Sequence, residues 1–308
     1  MILCRLNSSS YMEPDFILQE SNLAHVLGLD YCNGLDDVDL SSRKEIILIT
    51  NTHSDVSSLS TELLSRVKLL IHPNSGHDNL PYEWVNKQSF PILLGNNIRA
   101  HAVTNTILSH LFGHYSPLGH QEAWDKERLY KRKLLSELTV HIIGHGHIGV
   151  ILEQSLTPLV KKLHITDINN SEELSSDVII PVPSLTKSSR HLINESFLLN
   201  QADDFCLINC SRGEVVNTKE LLKVLSQKKD AFAYLDVFEK EPCDFSEFSS
   251  YPNIKTTSHI AGVFKHIARD TIEFEKNILE TFLDLESDQF KERFKDSLLN
   301  NKTLRDFP

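Results

Sequence analysis

A glycine-rich segment at residues 144–149 (GHGHIG) constrains the fold of this chain more than any other feature of its sequence. The segment has the spacing G-x-G-x-x-G, follows the apolar run Leu138–Ile143 and opens a helical pattern that runs toward Leu156. In a strand–turn–helix unit, the first glycine permits the tight turn and the second lets a pyrophosphate approach the backbone. The third allows the helix to pack closely on the strand, and the helix N-terminus attracts the phosphates. The segment therefore predicts a dinucleotide site that includes Gly144, Gly146, His147, Ile148 and Gly149.

A carboxylate follows the next predicted strand. Asp167 stands directly after Leu163–Thr166 and eighteen residues past Gly149 (167 − 149). A carboxylate there accepts hydrogen bonds from a ribose 2′-hydroxyl and repels the 2′-phosphate of NADP, so the sequence predicts NAD as the cofactor. A glycine-rich turn with a surface aspartate is the alternative interpretation. For His145 and His147, contact with the pyrophosphate and a solvated or structural role both stay open.

Short β-branched runs alternate with helical patterns along the chain, which predicts an α/β fold with parallel, doubly wound sheets. The predicted strands are Met1–Leu6, Glu45–Thr50, Lys68–His72, Leu138–Ile143, Leu163–Thr166, Val178–Pro181, Phe205–Asn209, Ala231–Leu235 and Ile254–Thr257. The predicted helices are Phe16–Leu27, Leu59–Val67, Ala100–Phe112, the stretch toward Leu156, Lys219–Leu225 and Val263–Leu285. Near the C-terminal end of the sequence, Phe290 and Phe294 stand four residues apart, as in a short amphipathic helix.

Three polar residues, Arg212, Glu241 and His259, each stand in a turn that follows a predicted strand. Ligands of open α/β sheets bind beyond the carboxyl ends of the strands, so we expect these side chains near the dinucleotide. Arginine binds a carboxylate bidentately, histidine exchanges a proton near neutral pH, and a carboxylate beside it fixes its tautomer. With a hydride carrier, these groups can interconvert a 2-hydroxy acid and a 2-oxo acid. Each residue alone has an ordinary structural explanation, but their joint occurrence with the glycine segment favours catalysis.

In their order along the chain, these motifs resemble those of the D-isomer-specific 2-hydroxyacid dehydrogenases over nearly the whole sequence. The segments that carry the resemblance are 74–79 (NSGHDN), 144–149 (GHGHIG), 183–186 (PSLT), 209–213 (NCSRG), 235–242 (LDVFEKEP) and 259–262 (HIAG). The resemblance implies that Arg212 binds the substrate carboxylate and carbonyl. It also implies that His259 is the general acid in reduction and the base in oxidation, and that Glu241 pairs with it.

The resemblance implies further contacts with the cofactor and the substrate. Asp236 would contact the nicotinamide carboxamide, and backbone amides near Ser75 and Gly76 would hold the substrate carboxylate. The other cofactor contacts that it implies are Pro183, Ser189, Cys210 and Gly262.

By the same resemblance, the fold comprises two Rossmann-like doubly wound domains with an active-site cleft between them. One would be a flavodoxin-like substrate domain that is discontinuous, formed by residues 1–96 and 276–308. The other would be an NAD-binding Rossmann domain over residues 97–275. Family members are commonly dimers built through the NAD-binding domain, so we expect a homodimer.

Charge and composition exclude several classes of function. Lys and Arg number 31 against 42 Asp and Glu, a formal net charge of −11, whereas nucleic acids and membrane surfaces attract cationic faces. No apolar run approaches the roughly 20 residues of a membrane helix, and the first residues do not resemble a signal peptide. The five cysteines lack C-x-x-C spacing, so we expect reduced thiols in a cytoplasmic protein and no metal site. The expected partner is a small 2-hydroxy or 2-oxo acid, with no nucleic acid and no membrane.

Two other functions stay open. One is an NAD(H)-sensing regulatory protein, similar to corepressors related to this family, which binds the cofactor but turns over little substrate. The other is a dehydrogenase of the erythronate-4-phosphate or phosphoglycerate type, whose phosphorylated substrate needs a cationic pocket. Arg99, Arg128 and Lys131–Lys133 supply positive charge, although a solvated helix face explains these residues as well.

Overall fold

The computed structural model describes residues 1–6, 15–39, 41–117, 119–120, 122–128, 133–167 and 174–300. The chain divides into unit 1, formed by Met1–Arg99 with Val263–Pro308, and unit 2, formed by Ala100–Gly262. The sequence predicts that the chain crosses from one domain to the other at 96/97 and crosses back at 275/276. The second crossing lies earlier in the structure because Ile267–Asp284 is one continuous helix, and its residue Glu275 pairs with Arg5 inside unit 1.

Strands and helices alternate through the described residues. In chain order, the strands are β1 (Ile2–Arg5), β2 (Asp30–Asn33), β3 (Ile46–Ile49), β4 (Val67–His72), β5 (Ile92–Leu94), β6 (Thr139–Ile143), β7 (Lys162–Thr166), β8 (Val178–Pro181), β9 (Cys206–Asn209), β10 (Phe232–Leu235) and β11 (Ile254–Thr256). The α-helices are α1 (Phe16–Val26), α2 (Thr61–Arg66), α3 (Tyr82–Val85), α4 (Ala100–Tyr115), α5 (His147–Leu156), α6 (Glu195–Leu199), α7 (Thr218–Gln227), α8 (Ile267–Asp284) and α9 (Ser287–Arg293). The predicted α/β fold class is confirmed, with two parallel sheets and helices.

Unit 1 contains a parallel sheet with the strand order β2-β1-β3-β4-β5. Strand β3 is buried along its whole length, as expected for a central strand covered on both faces. Apolar residues of α2 and α3 pack on one face of the sheet, and those of α1, α8 and α9 pack on the other. The predicted aromatic pair belongs to this second core: Phe290 of α9 is 1% exposed and packs against Phe294.

A fully buried ionic cluster joins β1 to two helices of unit 1. Nη2 of Arg5 lies 2.5 Å from Oε1 of Glu20 and 2.5 Å from Oε1 of Glu275, and the Tyr31 hydroxyl donates to Glu20 at 2.6 Å. Burial raises the pKa of Glu275 well above its ordinary value. Burial opposes ionisation of Glu20 too, but the charge and hydrogen bonds of Arg5 lower its pKa. One cation therefore neutralises one carboxylate, while Glu275 keeps its proton.

Unit 2 contains a parallel sheet with the strand order β11-β10-β9-β8-β6-β7. The chain starts at β6, goes outward to β7 and then crosses back to β8 on the other side of β6. The order of the strands reverses at this point, and in open α/β sheets such a reversal creates a crevice beyond the carboxyl ends of the strands. Residues 144–149, which follow β6, and the turns after β8, β9 and β10 therefore share one edge of the sheet.

Candidate active site

Two glycines of the 144–149 segment are required by the backbone itself. Gly144 has φ +106°, and a Cβ there would lie within 3.0 Å of the backbone of Val182 and Pro183. A Cβ at Gly149 would overlap the carbonyl oxygen of Gly144. These contacts are the tight turn and the close helix–strand packing that the sequence predicts for the first and third glycines.

The second glycine has a different environment. A Cβ at Gly146 would meet no atom within 4 Å, and the residue precedes α5 without a side-chain cap on the helix N-terminus. Backbone N–H groups at a helix start and open space beside a glycine are what a pyrophosphate needs in order to bind. Asp167 is exposed and directly follows β7, the position at which a carboxylate binds a ribose 2′-hydroxyl. These residues fit a dinucleotide.

The histidines in the glycine segment have separate environments. Nε2 of His145 lies 2.7 Å from Oε2 of Glu153, which lies in α5, and both side chains are partly exposed. His147 is the first residue of α5 and is exposed. The structural interpretation left open for His145 is thus supported by a hydrogen bond that ties the glycine segment to its helix.

The loop after β8 contains two of the predicted cofactor residues. Pro183 is buried against Gly144. Ser189 is fully buried, and its hydroxyl donates to the carbonyl of Ser184 at 2.8 Å and accepts from the backbone N–H of Thr186 at 2.8 Å. The Ser189 hydroxyl therefore shapes its own loop, and its predicted contact with the cofactor stays a prediction.

Arg212 is held in its turn by the fully buried side chain of Asn209, the last residue of β9. Oδ1 of Asn209 accepts hydrogen bonds from the backbone N–H and the hydroxyl of Ser211, at 3.1 and 2.8 Å. Nδ2 of Asn209 donates to the carbonyl of Arg212 at 3.0 Å. Gly213 lets this turn pack on the next loop, because a Cβ there would overlap the backbone of Phe238. This role of Asn209 was not predicted from the sequence, although a polar residue that ends an apolar strand is a recognisable signal.

Glu241 and His259 are brought together as predicted. Nδ1 of His259 lies 2.8 Å from Oε2 of Glu241, and Oε1 of Glu241 accepts the backbone N–H of Phe238 at 3.0 Å. Burial alone would raise the pKa of Glu241. The hydrogen bonds from His259 and Phe238, with the charges of His259 and Arg212, lower it below its ordinary value. The carboxylate stays ionised and holds Nδ1 as the protonated ring nitrogen, which leaves Nε2 for proton exchange.

The other predicted residues of unit 2 lie around these turns. Asp236 directly follows β10, is 1% exposed, and faces the loop that carries His259. Cys210 is buried, and burial followed by the charge of Asp236 raises the pKa of its thiol, so the sulfur stays protonated. Gly262 closes the His259 loop at the boundary of unit 2.

Ser75 and Gly76 lie in the loop that follows β4 in unit 1. The Ser75 hydroxyl donates to the carbonyl of Asn96 at 3.1 Å. The carbonyl of Gly76 lies 2.8 Å from Nε2 of His72, whose Nδ1 lies 2.8 Å from the Thr50 hydroxyl. Because a carbonyl only accepts, Nε2 of His72 carries the proton. Burial lowers the pKa of His72 to about 4, so a neutral imidazole fixes this loop, a role that the sequence analysis missed.

Two of the cations considered for a phosphate pocket, Arg99 and Lys133, are already engaged, and Arg128 is exposed. Nη1 of Arg99 donates to the carbonyl of Pro73 at 2.5 Å. Nζ of Lys133 lies 3.1 Å from carboxylate oxygens of Asp177 and Asp204. Lys131 lies outside the described residues, as does its neighbour Arg132.

Two further findings concern metals and membranes. Within the described ranges, no group of three or more His, Cys, Asp or Glu residues could hold a metal ion. None of the helices in those ranges combines the length and the apolar character needed to cross a membrane.

Comparison with known families identifies the region that contains this site. Residues 107–261, which are half of the chain, match the family model of the D-isomer specific 2-hydroxyacid dehydrogenase, NAD binding domain. The chain is 28% identical to the erythronate-4-phosphate dehydrogenase of Wigglesworthia glossinidia brevipalpis over 75% of this chain and 62% of that protein. It is 34% identical to the glyoxylate reductase of Thermococcus onnurineus over 44% of this chain and 48% of that protein. The alignments thus span less than two thirds of the length of these two relatives.

Solved structures share the fold over nearly the whole chain. The D-lactate dehydrogenase of Aquifex aeolicus, complexed with NAD and lactic acid, has a TM-score of 0.68 and 20% identity, with 97% of this chain and 99% of that one covered. The NAD-bound 3-phosphoglycerate dehydrogenase of Entamoeba histolytica has a TM-score of 0.68 and 15% identity, with 92% and 96% covered. At these identities the likeness establishes the fold alone.

Proposed function

Since the chain belongs to the D-isomer specific 2-hydroxyacid dehydrogenase family, we propose that it is an NAD-dependent oxidoreductase that interconverts a D-2-hydroxy acid and the corresponding 2-oxo acid. NAD is the cofactor, because the matched family domain binds NAD and Gly146 leaves space for the pyrophosphate. The hydrogen bond between Glu241 and His259, within the electrostatic reach of Arg212, is the observation that carries the proposal.

The catalytic residues of this chain have complementary roles. When bound, NADH would supply the hydride for the carbonyl carbon of the 2-oxo acid, and NAD would accept a hydride in the reverse direction. In reduction, Nε2 of His259 donates a proton to the carbonyl oxygen, so the substrate gains one hydride and one proton. Glu241 stabilises the imidazolium before transfer. The guanidinium of Arg212 binds the carboxylate and polarises the carbonyl, and the backbone amides of Ser75 and Gly76 hold the carboxylate.

The cofactor is held mainly by backbone and small side chains. The N–H groups at the start of α5 bind the pyrophosphate, and Asp167 binds the adenosine ribose. The remaining proposed cofactor residues are Gly144, Gly146, His147, Ile148, Gly149, Pro183, Ser189, Cys210, Asp236 and Gly262.

A phosphorylated 2-hydroxy acid is the second candidate substrate. Of the two relatives compared above, the one matched over the larger share of this chain is named an erythronate-4-phosphate dehydrogenase. In addition, Arg99 lies near the loop that contains Ser75 and Gly76. A regulatory protein that binds NAD(H) without turnover is the remaining alternative.

Oxidation of NADH by purified protein, followed at 340 nm, tests the function. The substrate panel comprises glyoxylate, pyruvate, hydroxypyruvate, bulky 2-oxo acids and phosphorylated 2-oxo acids. We expect turnover with one substrate group, which Arg212→Ala lowers by about a thousandfold or more in kcat/KM. The variant His259→Ala should bind NADH normally but lose roughly 10²–10⁴-fold in kcat.

The outcomes of this assay separate the alternatives. Exclusive use of phosphorylated acids would assign the erythronate-4-phosphate or phosphoglycerate type. No turnover with any substrate of the panel, together with intact NADH binding, would favour the regulatory alternative. Normal turnover in His259→Ala would exclude the proposed acid–base role. A homodimer through the NAD-binding domain and a cytoplasmic location are also part of the proposal, and light scattering of the purified protein tests the first.

A further inference from the structure

The carboxylate of Asp236 accepts three hydrogen bonds from the loop that follows β11. The hydroxyl of Thr257 donates to Oδ1 at 2.5 Å, and the backbone N–H of Ile260 donates to the same oxygen at 2.9 Å. The backbone N–H of Ala261 donates to Oδ2 at 2.9 Å. The three donors occupy most of the roughly four acceptor positions of a carboxylate, and the residue is 1% exposed, so the loop is the main partner of this side chain.

His259 stands in the middle of this loop with an unusual backbone conformation. Its φ is +52°, in the left-handed region that non-glycine residues adopt infrequently. The N–H of His259 donates to the carbonyl of Asp236 at 2.7 Å. Successive N–H groups around a left-handed residue form a concave nest that binds an anion. Here the N–H groups of Ile260 and Ala261 form the nest, and the carboxylate of Asp236 is its anion.

The same residue is tied to the turn that carries Arg212. The N–H of Asp236 donates to the carbonyl of Asn209 at 3.0 Å, and the side chain of Asn209 donates to the carbonyl of Arg212. A continuous run of hydrogen bonds thus links the turn of Arg212 to the loop of His259 through Asp236.

We propose that Asp236 is a positioning residue for His259, a role beyond the contact with the nicotinamide carboxamide that the family resemblance implies. Its charge holds the loop in the left-handed conformation that directs the imidazole toward Glu241. This assignment rests on the acid–base role proposed for His259. Without the carboxylate, two buried N–H groups lose their acceptor, and the histidine is free to leave a backbone conformation that is otherwise unfavourable.

Two variants of different severity test the assignment. Asp236→Asn keeps the size of the side chain but replaces one acceptor oxygen with a donor that faces the loop. Thr257→Val removes one hydrogen bond to the carboxylate while the carboxylate stays in place, so it remains informative if the first variant folds poorly. Thr257→Ser restores the hydroxyl, and Thr256→Val makes the same change at the adjacent residue, which donates no hydrogen bond to Asp236.

Three measurements are made on each variant. Hydrogen–deuterium exchange reports the protection of a peptide that covers residues 256–264, NADH fluorescence gives the cofactor Kd, and the NADH oxidation assay gives kcat and KM. In Asp236→Asn we expect faster exchange confined to this peptide, measured without cofactor, and kcat lowered by roughly 100-fold, a larger factor than any rise in the Kd for NADH. Thr257→Val should lower kcat by roughly tenfold, Thr257→Ser should recover it, and Thr256→Val should match the wild type.

The opposite pattern would overturn the assignment. If Asp236→Asn raised the Kd for NADH tenfold or more and left exchange of the 256–264 peptide unchanged, Asp236 would be a cofactor contact alone and would not position His259. Equal activities of Thr257→Val and Thr256→Val would likewise contradict it. If the wild-type protein reduced no 2-oxo acid, the proposed function would fail, but the exchange measurement would still decide whether Asp236 holds the loop.

Discussion

Oε2 of Glu241 lies 2.8 Å from Nδ1 of His259, while the other oxygen of the same carboxylate accepts the backbone N–H of Phe238 at 3.0 Å. Both oxygens of Glu241 therefore act as acceptors. In Glu241→Gln the amide offers one acceptor oxygen, so either the imidazole or the backbone N–H loses its partner. We expect kcat to fall by about 100-fold with little change in NADH affinity, as measured by steady-state kinetics and fluorescence titration.

A second His–Glu pair, whose glutamate lies on the same loop as Glu241, provides the control. Nε2 of His191 lies 2.6 Å from Oε1 of Glu239, two residues before Glu241, outside the proposed catalytic set. Glu239→Gln should keep kcat within about threefold of the wild type. Equal losses in Glu239→Gln and Glu241→Gln would show that the loop as a whole, and not its contact with His259, determines the rate.

Alanine at Gly146 should separate cofactor binding from folding. An added Cβ meets no protein atom within 4 Å, so Gly146→Ala should keep the free energy of unfolding, or raise it by about 0.5 kcal/mol through reduced freedom of the unfolded chain. The methyl group would occupy the space proposed for the pyrophosphate, and we expect the Kd for NADH to rise at least tenfold. Urea denaturation and fluorescence titration measure the two effects.

Gly213→Ala should behave in the opposite way. Its Cβ would overlap the backbone of Phe238, so the turn of Arg212 cannot keep its position. We expect a loss of about 3 kcal/mol in the free energy of unfolding, the upper range for overpacking. A stable Gly213→Ala protein with normal kcat would mean that the two loops do not need this close contact.

The cofactor preference should depend on Asp167. This carboxylate follows β7 at the position that binds the adenosine ribose, so Asp167→Ala should reduce the ratio of kcat/KM with NADH to that with NADPH by at least about tenfold. Parallel assays with the two cofactors measure this ratio. An unchanged ratio would contradict the role given to Asp167.

His72 should make stability depend on pH. Burial lowers the pKa of His72 from 6.5 to about 4, so in mildly acid solution the unfolded chain binds a proton that the folded protein does not. Stability is therefore lost as pH falls from 6.5 toward 4, by about 2 kcal/mol between pH 7 and pH 5. Urea denaturation at both pH values should show this dependence reduced in His72→Gln. It should be retained in His53→Gln, which changes an exposed histidine of a neighbouring loop.

The long buried strands and the motif-bearing turns could be predicted from the sequence, because each is a local pattern. The apolar run Leu138–Ile143 corresponds to β6, and the glycine spacing identifies the turn that follows it. Strand β2 was missed because its four residues include no fully buried side chain. Strand β5 was missed because it has three residues and directly follows Pro91.

The catalytic residue types of the site could be predicted from the sequence, but the residues that hold them in place could not. Arg212, Glu241 and His259 are recognisable as residue types after strands. The role of Asn209 and Asp236 depends on backbone groups that come from other turns, and no single-sequence pattern shows which N–H will meet which carboxylate. Ser189 illustrates the converse, since its hydroxyl is used within its own short loop.

The order in which the two units can form during synthesis follows from the discontinuity of unit 1. Unit 2 is one uninterrupted stretch, Ala100–Gly262, so all of its strands are available once that stretch has left the ribosome. In unit 1, β5 pairs at Leu93 with Leu298, and Arg5 needs Glu275. The strands of unit 1 therefore wait for residues that are synthesised after unit 2, with a buried arginine short of one partner and a sheet edge unpaired. We expect the nascent N-terminal segment to need protection from aggregation until the other unit is complete.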